Sequence, residues 1–355
     1  MQLLTREWAA APHLTGVKLF SLESEQLFLT VTNYGLRMVH LLTAGANQEP
    51  VDVIVGPETP EAFFQSTNPY YGAIIGRYAN RIDKGRCSLN GHICQLSCNN
   101  GAHHLHGGVM GFHNQVWECS THTQHELVFT HTSAHATEGY PGNLQVKVTF
   151  RLNGADLVIE YEATTDATTI VNLTHHPFFN LNGCGSTSLE SHFLQLEADL
   201  YLPVRVDMIP EGTMQDVKDT PFDFRQPASL SDQLQQTHEQ LQRGHGFDHC
   251  FVRNRYASVP YGLIATAWSQ RTGIAMRIAT TEPGLQLFTG NFMDGTNTMK
   301  NGVTDILRSA FCLEPQHFPD SPNEPQFPNV VLEPGQFYKS STTFEFLNHH
   351  LTHST

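Results

Sequence analysis

The sequence predicts an all-β protein of the large antiparallel sandwich class. Short runs with strand character recur more than a dozen times along the chain, whereas helical patterning is confined to one or two short stretches. A parallel α/β fold would instead alternate its strands with helices of about 10–15 residues. No fixed-period repeat, linker or low-complexity tract divides the chain, so we expect one domain over residues 1–355.

In the first half, strands are predicted where apolar runs end at glycine, proline or asparagine. Residues 26–33 and 36–42 should pair as a hairpin, and residues 51–55 form a strand that stops at Gly56. Residues 60–66 have the length of one helical turn. Asn90 and Gly91, between two short β runs, are typical of a type I′ hairpin turn.

From residue 127 onward, several runs alternate apolar and polar side chains, which indicates strands with one face in the core and one in water. These strands are predicted over residues 127–132, 144–152, 157–163, 193–198, 261–267 and 273–280. A helix is predicted from Ser229 or Ser231 to Gln242, with a serine cap and Gly244 as its stop. Residues 330–331 and 338–346 are predicted to close the chain as a hairpin.

The stretch V-N-L-T-H-H-P-F-F-N-L, residues 171–181, reads as a buried strand with a kink at Pro177. Two adjacent histidines, His175 and His176, interrupt this apolar run. An unpaired polar group in a protein core costs about 1–3 kcal/mol. At least one of the two imidazoles is therefore expected to be hydrogen-bonded or to take part in chemistry.

The charge balance argues against a polyanionic partner. The chain has 20 Lys and Arg against 34 Asp and Glu, a formal net charge of −14. Nucleic acid would be repelled by this charge. No apolar run approaches the roughly 18–20 residues that span a bilayer, and the N-terminus lacks a signal-peptide pattern, so we expect a cytoplasmic protein without membrane contact. The odd, dispersed set of seven cysteines indicates reduced thiols used for packing.

Several phrases appear in a fixed order between about residues 33 and 346: G-R-Y-A-N-R-I, L-H-G-G-V-M-G-F, V-N-L-T-H-H-P-F-F-N-L, T-P-F-D-F, G-F-D-H, P-G-L-Q-L-F-T-G-N-F and L-E-P-Q-H-F-P-D-S-P-N. Together they resemble the galactose mutarotases, or aldose 1-epimerases. The resemblance implies a β-supersandwich with the sugar in an open cleft across a concave sheet. It also implies an isomerase that interconverts the anomers of free aldohexoses such as galactose and glucose, without metal or cofactor.

The resemblance implies roles for seven residues. It places the general base on Glu314, the general acid on His176 and a second imidazole at the reacting centre on His106. The residues that would bind sugar hydroxyls are Asn80, Arg81, Asp248 and Gln286. Anomer exchange needs one group to take the C1 hydroxyl proton and another to protonate the ring oxygen, and a carboxylate with an imidazolium can supply both.

The sequence departs from the family pattern beside the predicted acid. His175 stands where the family usually has asparagine, Pro177 where it has a small or apolar residue, and Phe178 where it usually has tyrosine. We expect His175 to be able to replace a hydrogen bond of that tyrosine. Phe288 or Phe178 is expected to cover the C–H face of the sugar, and His113 and His249 are expected to be structural.

Three other functions are compatible with parts of the sequence. A sugar-phosphate epimerase would need further cations in the cleft, for which Arg77, Arg205 and Arg225 are candidates. A metal-dependent enzyme could use the cluster His103, His104 and His106 with Glu314. A non-catalytic sugar-binding protein would have no use for an acid–base pair. The preferred sugar, and the choice between monomer and homodimer, stay open.

Overall fold

The computed structural model describes residues 5–8 and 15–348. These residues form a mostly antiparallel β structure, which confirms the predicted fold class. The largest unit is a nine-stranded sheet with the strand order Glu118–His122, Glu126–Ser133, Leu144–Asn153, Asp156–Thr165, Tyr338–Asn348, Ile274–Thr280, Gly262–Ser269, His192–Leu196 and Ala228–Ser229. It contains all six strands predicted between residues 127 and 280.

A five-stranded sheet is built from the N-terminal part of the chain, in the order Thr5–Glu7, Lys18–Glu23, Phe28–Thr32, Met38–Ala44 and Pro50–Asp52. Its third and fourth strands form the predicted hairpin. A separate hairpin joins Arg86–Leu89 to His92–Gln95. Its turn residues, Asn90 and Gly91, have φ values of 50° and 78°, as a type I′ turn requires.

A second five-stranded sheet, called here the site sheet, has the order Gln215–Asp216, Leu200–Tyr201, Asp248–Val252, Gly284–Phe288 and Cys312–Gln316. Alternate side chains of its last three strands, among them Phe251, Leu285 and Leu313, are fully buried in the main hydrophobic core with Ile278 and Phe344 of the nine-stranded sheet. The site sheet therefore packs one face against the nine-stranded sheet, and its other face is free to carry polar groups.

Residues 171–181 form two short strands instead of one. Thr174–His175 pairs with Ile74–Ile75, and Phe178–Phe179 pairs with Ile54–Val55. Pro177 lies between them and has no N–H for a ladder bond, so the strand is interrupted there as the sequence predicts. Two further short pairs join His104–Leu105 to Arg81–Ile82 and Thr169–Ile170 to Val331–Leu332.

The described residues include three short α-helices, Pro60–Gln65, Leu230–Leu234 and Glu239–Arg243. The prediction of a single helix over residues 229–242 is wrong in the middle of that range, where the chain forms two separate helices. Ser229 caps the second helix as predicted, but His238 has an extended backbone and its Nδ1 accepts a hydrogen bond from the N–H of Gln240, which starts a third helix. Gly244 ends that helix as predicted.

The predicted closing hairpin is also wrong. Val331–Leu332 pairs with Thr169–Ile170, whereas Tyr338–Asn348 lies between Asp156–Thr165 and Ile274–Thr280. A strand of 11 residues in the interior of a sheet satisfies its backbone groups on both edges, which a hairpin with a two-residue strand cannot do. None of the helices in residues 5–8 and 15–348 is long and apolar enough to cross a membrane.

Candidate active site

The site sheet brings together three predicted site residues from separate parts of the chain. Because side chains alternate along a strand, Asp248, Gln286 and Glu314 point to the face opposite the core. Gln286 lies directly across from Glu314 in the strand register. Its Nε2 donates a hydrogen bond of 2.7 Å to Oδ1 of Asp248 on the other neighbouring strand.

The two adjacent histidines point in opposite directions. His175 lies in the core, where its Nε2 is 2.9 Å from the Leu36 carbonyl oxygen and its Nδ1 is 2.9 Å from the Tyr161 hydroxyl. His175 is therefore a hydrogen-bonded core residue, and the expectation that it replaces a hydrogen bond of the family's tyrosine stays a prediction. His176 points to the opposite side, toward Glu314.

The position of His176 is set by bonds on either side of it. Its backbone N–H donates to the Ala73 carbonyl at 2.9 Å, and its own carbonyl accepts from the N–H of Gly72 at 3.0 Å. The Thr174 hydroxyl donates to the Pro315 carbonyl at 2.7 Å, which ties this segment to the strand that carries Glu314. These contacts bring together two residues that lie 138 positions apart in the chain (314 − 176).

Asn80 and His106 hold each other through reciprocal bonds. The backbone N–H of Asn80 donates to Nδ1 of His106 at 3.1 Å, and the backbone N–H of His106 donates to the Asn80 carbonyl at 3.1 Å. Both residues have left-handed backbones, with φ values of 67° and 52°. Since Nδ1 accepts a hydrogen bond, the neutral imidazole of His106 carries its proton on Nε2.

Arg81 connects this pair to the site sheet. Its Nη1 lies 3.6 Å from Oδ2 of Asp248, and its Nε donates to Oδ1 of Asn100 at 3.1 Å. The side chain is only 10% exposed. The guanidinium is thus held in a fixed orientation at the edge of the site.

All seven predicted site residues line one open cleft with an empty volume of about 780 Å³. The lining consists of Thr67, Asn68, Pro69, Tyr70, Asn80, Arg81, Asn100, Leu105, His106, His176, Asp248, Gln286, Phe288, Phe292 and Glu314. The structure therefore brings the seven residues together. Their individual roles in binding and catalysis stay predictions.

Glu314 and His176 face each other at the base of this cleft. Nε2 of His176 is 3.4 Å from Oε1 of Glu314, and Oε2 of Glu314 finds no hydrogen-bond donor among the described residues. Burial raises the pKa of Glu314 well above its usual value; Asp248 raises it further and Arg81 opposes the shift. Burial lowers the pKa of His176 to about 3. In the low-dielectric cleft, both groups are therefore pushed toward their neutral forms.

Burial has the same effect on His106, since it lowers the pKa of that imidazole well below the usual range, with the neighbouring His176 and Arg81 adding to the shift. Together with the bond that Nδ1 accepts, this keeps His106 neutral. It presents an N–H donor rather than a cation to the cleft.

The two phenylalanines that could cover a sugar differ in position. Phe288 lines the cleft, whereas the fully buried Phe178 is not part of the lining. Phe178 instead stacks against the ring of His176, with centroids 5.1 Å apart and an interplanar angle of 20°. The expectation that Phe178 contacts the sugar is thus not supported, and its role is to pack behind the predicted acid.

Two aromatic residues that line the cleft, Tyr70 and Phe292, were not predicted from the sequence as site residues. Tyr70 lies edge-on to His106, with centroids 4.6 Å apart, and approaches the ring of His176 at 6.1 Å. Phe292 is 55% exposed and stacks on Phe288 at 5.9 Å. The available signals were Asn68-Pro69-Tyr70, just before a glycine-rich segment, and the G-N-F end of the P-G-L-Q-L-F-T-G-N-F phrase.

The histidine cluster proposed for a metal-dependent enzyme does not converge. His103 contacts Asp83, with Nδ1 3.0 Å from the carboxylate, and the two ring nitrogens of His104 lie 2.6 Å from the Ser97 carbonyl and the Tyr140 hydroxyl. Of the three, His106 alone lines the cleft. Their sequence proximity therefore does not create a shared ligand set.

His249 has the structural environment predicted for it. Its Nε2 lies 3.1 Å from Oε1 of Gln240, and its Nδ1 accepts from the backbone N–H of Asp248 at 3.1 Å. This imidazole holds the strand that carries Asp248. His113 is likewise buried and packs beside Tyr70, with centroids 4.9 Å apart.

Comparison with known proteins agrees with this architecture. The family model described as aldose 1-epimerase matches residues 18–345. Galactose mutarotase from Sus scrofa is 39% identical over 330 residues, which cover 93% of this chain and 94% of that protein. Aldose 1-epimerase from Escherichia coli K12 is 31% identical over 350 residues, covering 97% of this chain and 99% of that protein.

Solved structures show the same fold. The aldose epimerase homologue from C. elegans superposes with a TM-score of 0.86 at 29% identity and covers 94% of this chain and 99% of its own. Galactose 1-epimerase from Lactobacillus acidophilus NCFM superposes with a TM-score of 0.84 at 26% identity, covering 98% and 100%. With the family match over nearly the whole chain and this agreement in fold, the chain belongs to the aldose 1-epimerase family.

Proposed function

We propose that this enzyme interconverts the α and β anomers of free aldohexoses, galactose and glucose, with Glu314 and His176 as its acid–base pair. The observation that carries the proposal is the 3.4 Å approach of Nε2 of His176 to Oε1 of Glu314 in an open cleft that both residues line. Relatives that match almost the whole chain are named galactose mutarotase and aldose 1-epimerase.

In the proposed reaction, the Glu314 carboxylate takes the proton of the C1 hydroxyl while the imidazolium of His176 gives its proton to the ring oxygen. The bond between C1 and the ring oxygen breaks, and the aldehyde forms at C1. Rotation about the C1–C2 bond exposes the other face of the carbonyl. The C5 hydroxyl then attacks this face, His176 takes its proton back, and Glu314 returns a proton to the C1 oxygen.

The pair holds one proton throughout this cycle. Ring opening converts the charged arrangement, carboxylate and imidazolium, into the neutral one, carboxylic acid and imidazole. Burial favours the neutral arrangement, because it raises the pKa of Glu314 and lowers that of His176. The cleft thereby stabilises the protonation state that accompanies the open-chain aldehyde. Arg81 lowers the pKa of Glu314 and so offsets part of the preference for the neutral arrangement.

The other lining groups would hold the sugar ring. Oε1 of Gln286 is buried and finds no donor among the described residues, so it can accept a hydrogen bond from a sugar hydroxyl. Asp248 and Arg81 offer an acceptor and a donor beside it. The N–H at Nε2 of His106 would donate to an oxygen at the reacting centre. Held in this way, the ring can exchange its protons without reorienting.

The cleft favours a free sugar over a sugar phosphate. Arg81 is the one Lys or Arg side chain in its described lining, and it already contacts Asp248 and Asn100. The other candidate cations are engaged elsewhere. Arg77 donates to Ser133, Ala134 and Pro141, Arg205 pairs with Asp83 and Asp207, and Arg225 pairs with Asp223.

The proposal is tested by following freshly dissolved α-D-galactose and α-D-glucose by polarimetry or proton NMR of the anomeric signals, in metal-free buffer. We expect rapid approach to anomeric equilibrium with both sugars. No acceleration over the buffer rate by folded protein would contradict the proposal. The same assay with glucose 6-phosphate distinguishes the phosphate alternative, for which we expect a lower kcat/KM than for glucose.

A further inference from the structure

A third side chain with metal-binding chemistry lies beneath the acid–base pair. Cys312 is two residues before Glu314 on the same strand, and both therefore point to the same face of the site sheet. Sγ of Cys312, a ring nitrogen of His176 and a carboxylate oxygen of Glu314 all lie within 4.8 Å of one another. In the described part of the chain, this is the one such convergence of three His, Cys, Asp or Glu side chains.

We propose that His176, Cys312 and Glu314 form a reversible inhibitory site for thiophilic divalent cations such as Zn²⁺ and Cd²⁺. A cation bound there would occupy both members of the acid–base pair at once. Anomer exchange would stop, because neither group could then transfer a proton. This site goes beyond the proposed function, which uses no metal and gives Cys312 no role.

The geometry suits a tetrahedral cation. Zinc binds imidazole nitrogen and carboxylate oxygen at about 2.0–2.2 Å and thiolate sulfur at about 2.3 Å, so its ligand atoms are roughly 3.5 Å apart. The His176–Glu314 separation of 3.4 Å already matches this spacing. Cys312 has to approach by about 1.3 Å at most (4.8 − 3.5) to complete a three-ligand set.

The environment supplies a reason for a ligand to bind. Oε2 of Glu314 is buried without a donor among the described residues, so the carboxylate has an unused acceptor. One thiolate, one carboxylate and one neutral imidazole balance the charge of a divalent cation. The proton of the Cys312 thiol, and that of Glu314 where it is present, would leave to solvent.

The fourth position of the cation would face the cleft, since His176 and Glu314 line it and Cys312 lies behind them. A water molecule or a sugar hydroxyl would fill that position. Sugar and cation thus compete for the same two side chains. Hard cations such as Mg²⁺, which prefer oxygen ligands, would not be retained by a site that contains sulfur and nitrogen.

The test begins with full-length protein freed of metal by a chelator. Titration with ZnCl₂ should inhibit galactose anomer exchange, galactose should raise the apparent inhibition constant, and EDTA should restore the rate. MgCl₂ at the same concentrations should have no effect. Stimulation by zinc, or equal inhibition by magnesium, would overturn the proposal.

Variants assign the inhibition to this site. In Cys312→Ala we expect the inhibition constant for Zn²⁺ to rise at least tenfold while kcat/KM changes by less than about threefold. The control variant Cys98→Ala removes an exposed thiol and should leave the inhibition unchanged. Unchanged inhibition of folded Cys312→Ala would refute the assignment.

A binding measurement keeps the test independent of activity. Cd²⁺ bound to a thiolate gives an ultraviolet charge-transfer band, which we expect in the wild type and in Cys98→Ala, and which saturating galactose should reduce. This readout remains valid if the protein has no epimerase activity or if Cys312→Ala does not fold. If neither protein shows the band, or if folded Cys312→Ala binds cadmium as tightly as the wild type, the proposal is overturned whether or not galactose binds.

Discussion

Glu314 and His176 lie where charge is costly, and this cost is the central feature of the site at the scale of single residues. Glu314 is 1% exposed, and burial is the largest cause of its raised pKa. A buried carboxyl with a raised pKa stabilises the native state at acid pH. That contribution is lost as the pH rises from the usual value through the raised one. Glu314 is therefore expected to lower the free energy of unfolding at neutral pH, although the proposed reaction requires it.

Glu314→Gln should lower kcat/KM for galactose by about 10²–10⁴-fold, because it removes the proton acceptor and keeps the side-chain shape. The same substitution should raise the midpoint of urea unfolding at pH 8, with a smaller gain at pH 5, since it removes a carboxyl whose ionisation burial opposes. Urea denaturation and polarimetry measure both effects. Glu118→Gln, at an exposed position, is the control and should change neither. Near-normal activity of folded Glu314→Gln would remove Glu314 from the mechanism.

The pH dependence of kcat/KM follows from the single proton that the pair holds. Because burial lowers the pKa of His176 to about 3 and raises that of Glu314, the one-proton form extends to lower pH than an ordinary glutamate–histidine pair would allow. After subtraction of the buffer rate, we expect no acidic limb in kcat/KM at any pH at which the protein stays folded. An acidic limb near pH 6.5 would show that His176 titrates like an exposed imidazole. That result would contradict the assignment of a single shared proton to the Glu314–His176 pair.

At the scale of secondary-structure elements, the loop that carries His106 depends on a close backbone approach. Gly107 has a φ of +83°, and a Cβ at this position would lie 1.8 Å from the carbonyl oxygen of Gly76. The short pair His104–Leu105 with Arg81–Ile82 leads directly into this contact. Gly107 thereby allows His106 to reach Asn80.

Gly107→Ala should therefore displace the His106 loop, lower the melting temperature and reduce kcat/KM at least tenfold. Gly101→Ala is a matched control from the same segment. It has a positive φ of +58° but no atom within 4 Å of the added Cβ, so it should cost only the roughly 1–2 kcal/mol of a left-handed alanine and keep most of the activity. Thermal unfolding and polarimetry compare the two variants. Equal effects would show that backbone conformation alone, and not the contact with Gly76, matters at Gly107.

At the scale of the whole molecule, the core contains several imidazoles that burial keeps neutral. Burial is the largest cause in each case, and it lowers the pKa to about 3 in His113, His176 and His249 and to about 4 in His175 and His192. The unfolded chain binds protons at these positions below about pH 6.5, whereas the native state does not. Folding stability must therefore fall as the pH drops from 6.5 toward 4.

We predict acid unfolding in this pH range. Each of these imidazoles contributes up to about 1.4 kcal/mol of lost stability for each pH unit below 6.5. Four groups act in the opposite direction: burial raises the pKa of Asp320 to about 6 and also raises that of Glu314 and of Asp156, and, against the effect of burial, Glu282 raises the pKa of His317. The five imidazoles outnumber these four groups. Urea denaturation at pH 5, 6 and 7 should give a free energy of unfolding that rises with pH. A constant value over this range would show that these histidines are protonated in the native state.

The sequence alone determined the fold class, the family and the candidate site residues. Sequence patterns located the six strands predicted between residues 127 and 280 within a few residues, because one face of each strand must be apolar to enter a core. The site-sheet strands Asp248–Val252, Gly284–Phe288 and Cys312–Gln316 were not predicted as strands. The family phrases placed Glu314, His176 and the other predicted site residues, all of which line one cleft. Their roles rest on the resemblance and on the experiments above.

The tertiary structure decided what depends on partners distant in the chain. Strand pairing assigned residues 338–348 to the interior of the nine-stranded sheet, against the predicted hairpin. Long-range packing turned His175 into the core and hid Phe178 behind His176. Distant groups also engaged two of the candidate arginines, since Arg77 donates to the Ser133 and Ala134 carbonyls and Arg205 contacts Asp83. Hydrogen bonding and desolvation depend on which atoms surround a group in space, and local sequence patterns do not contain that information.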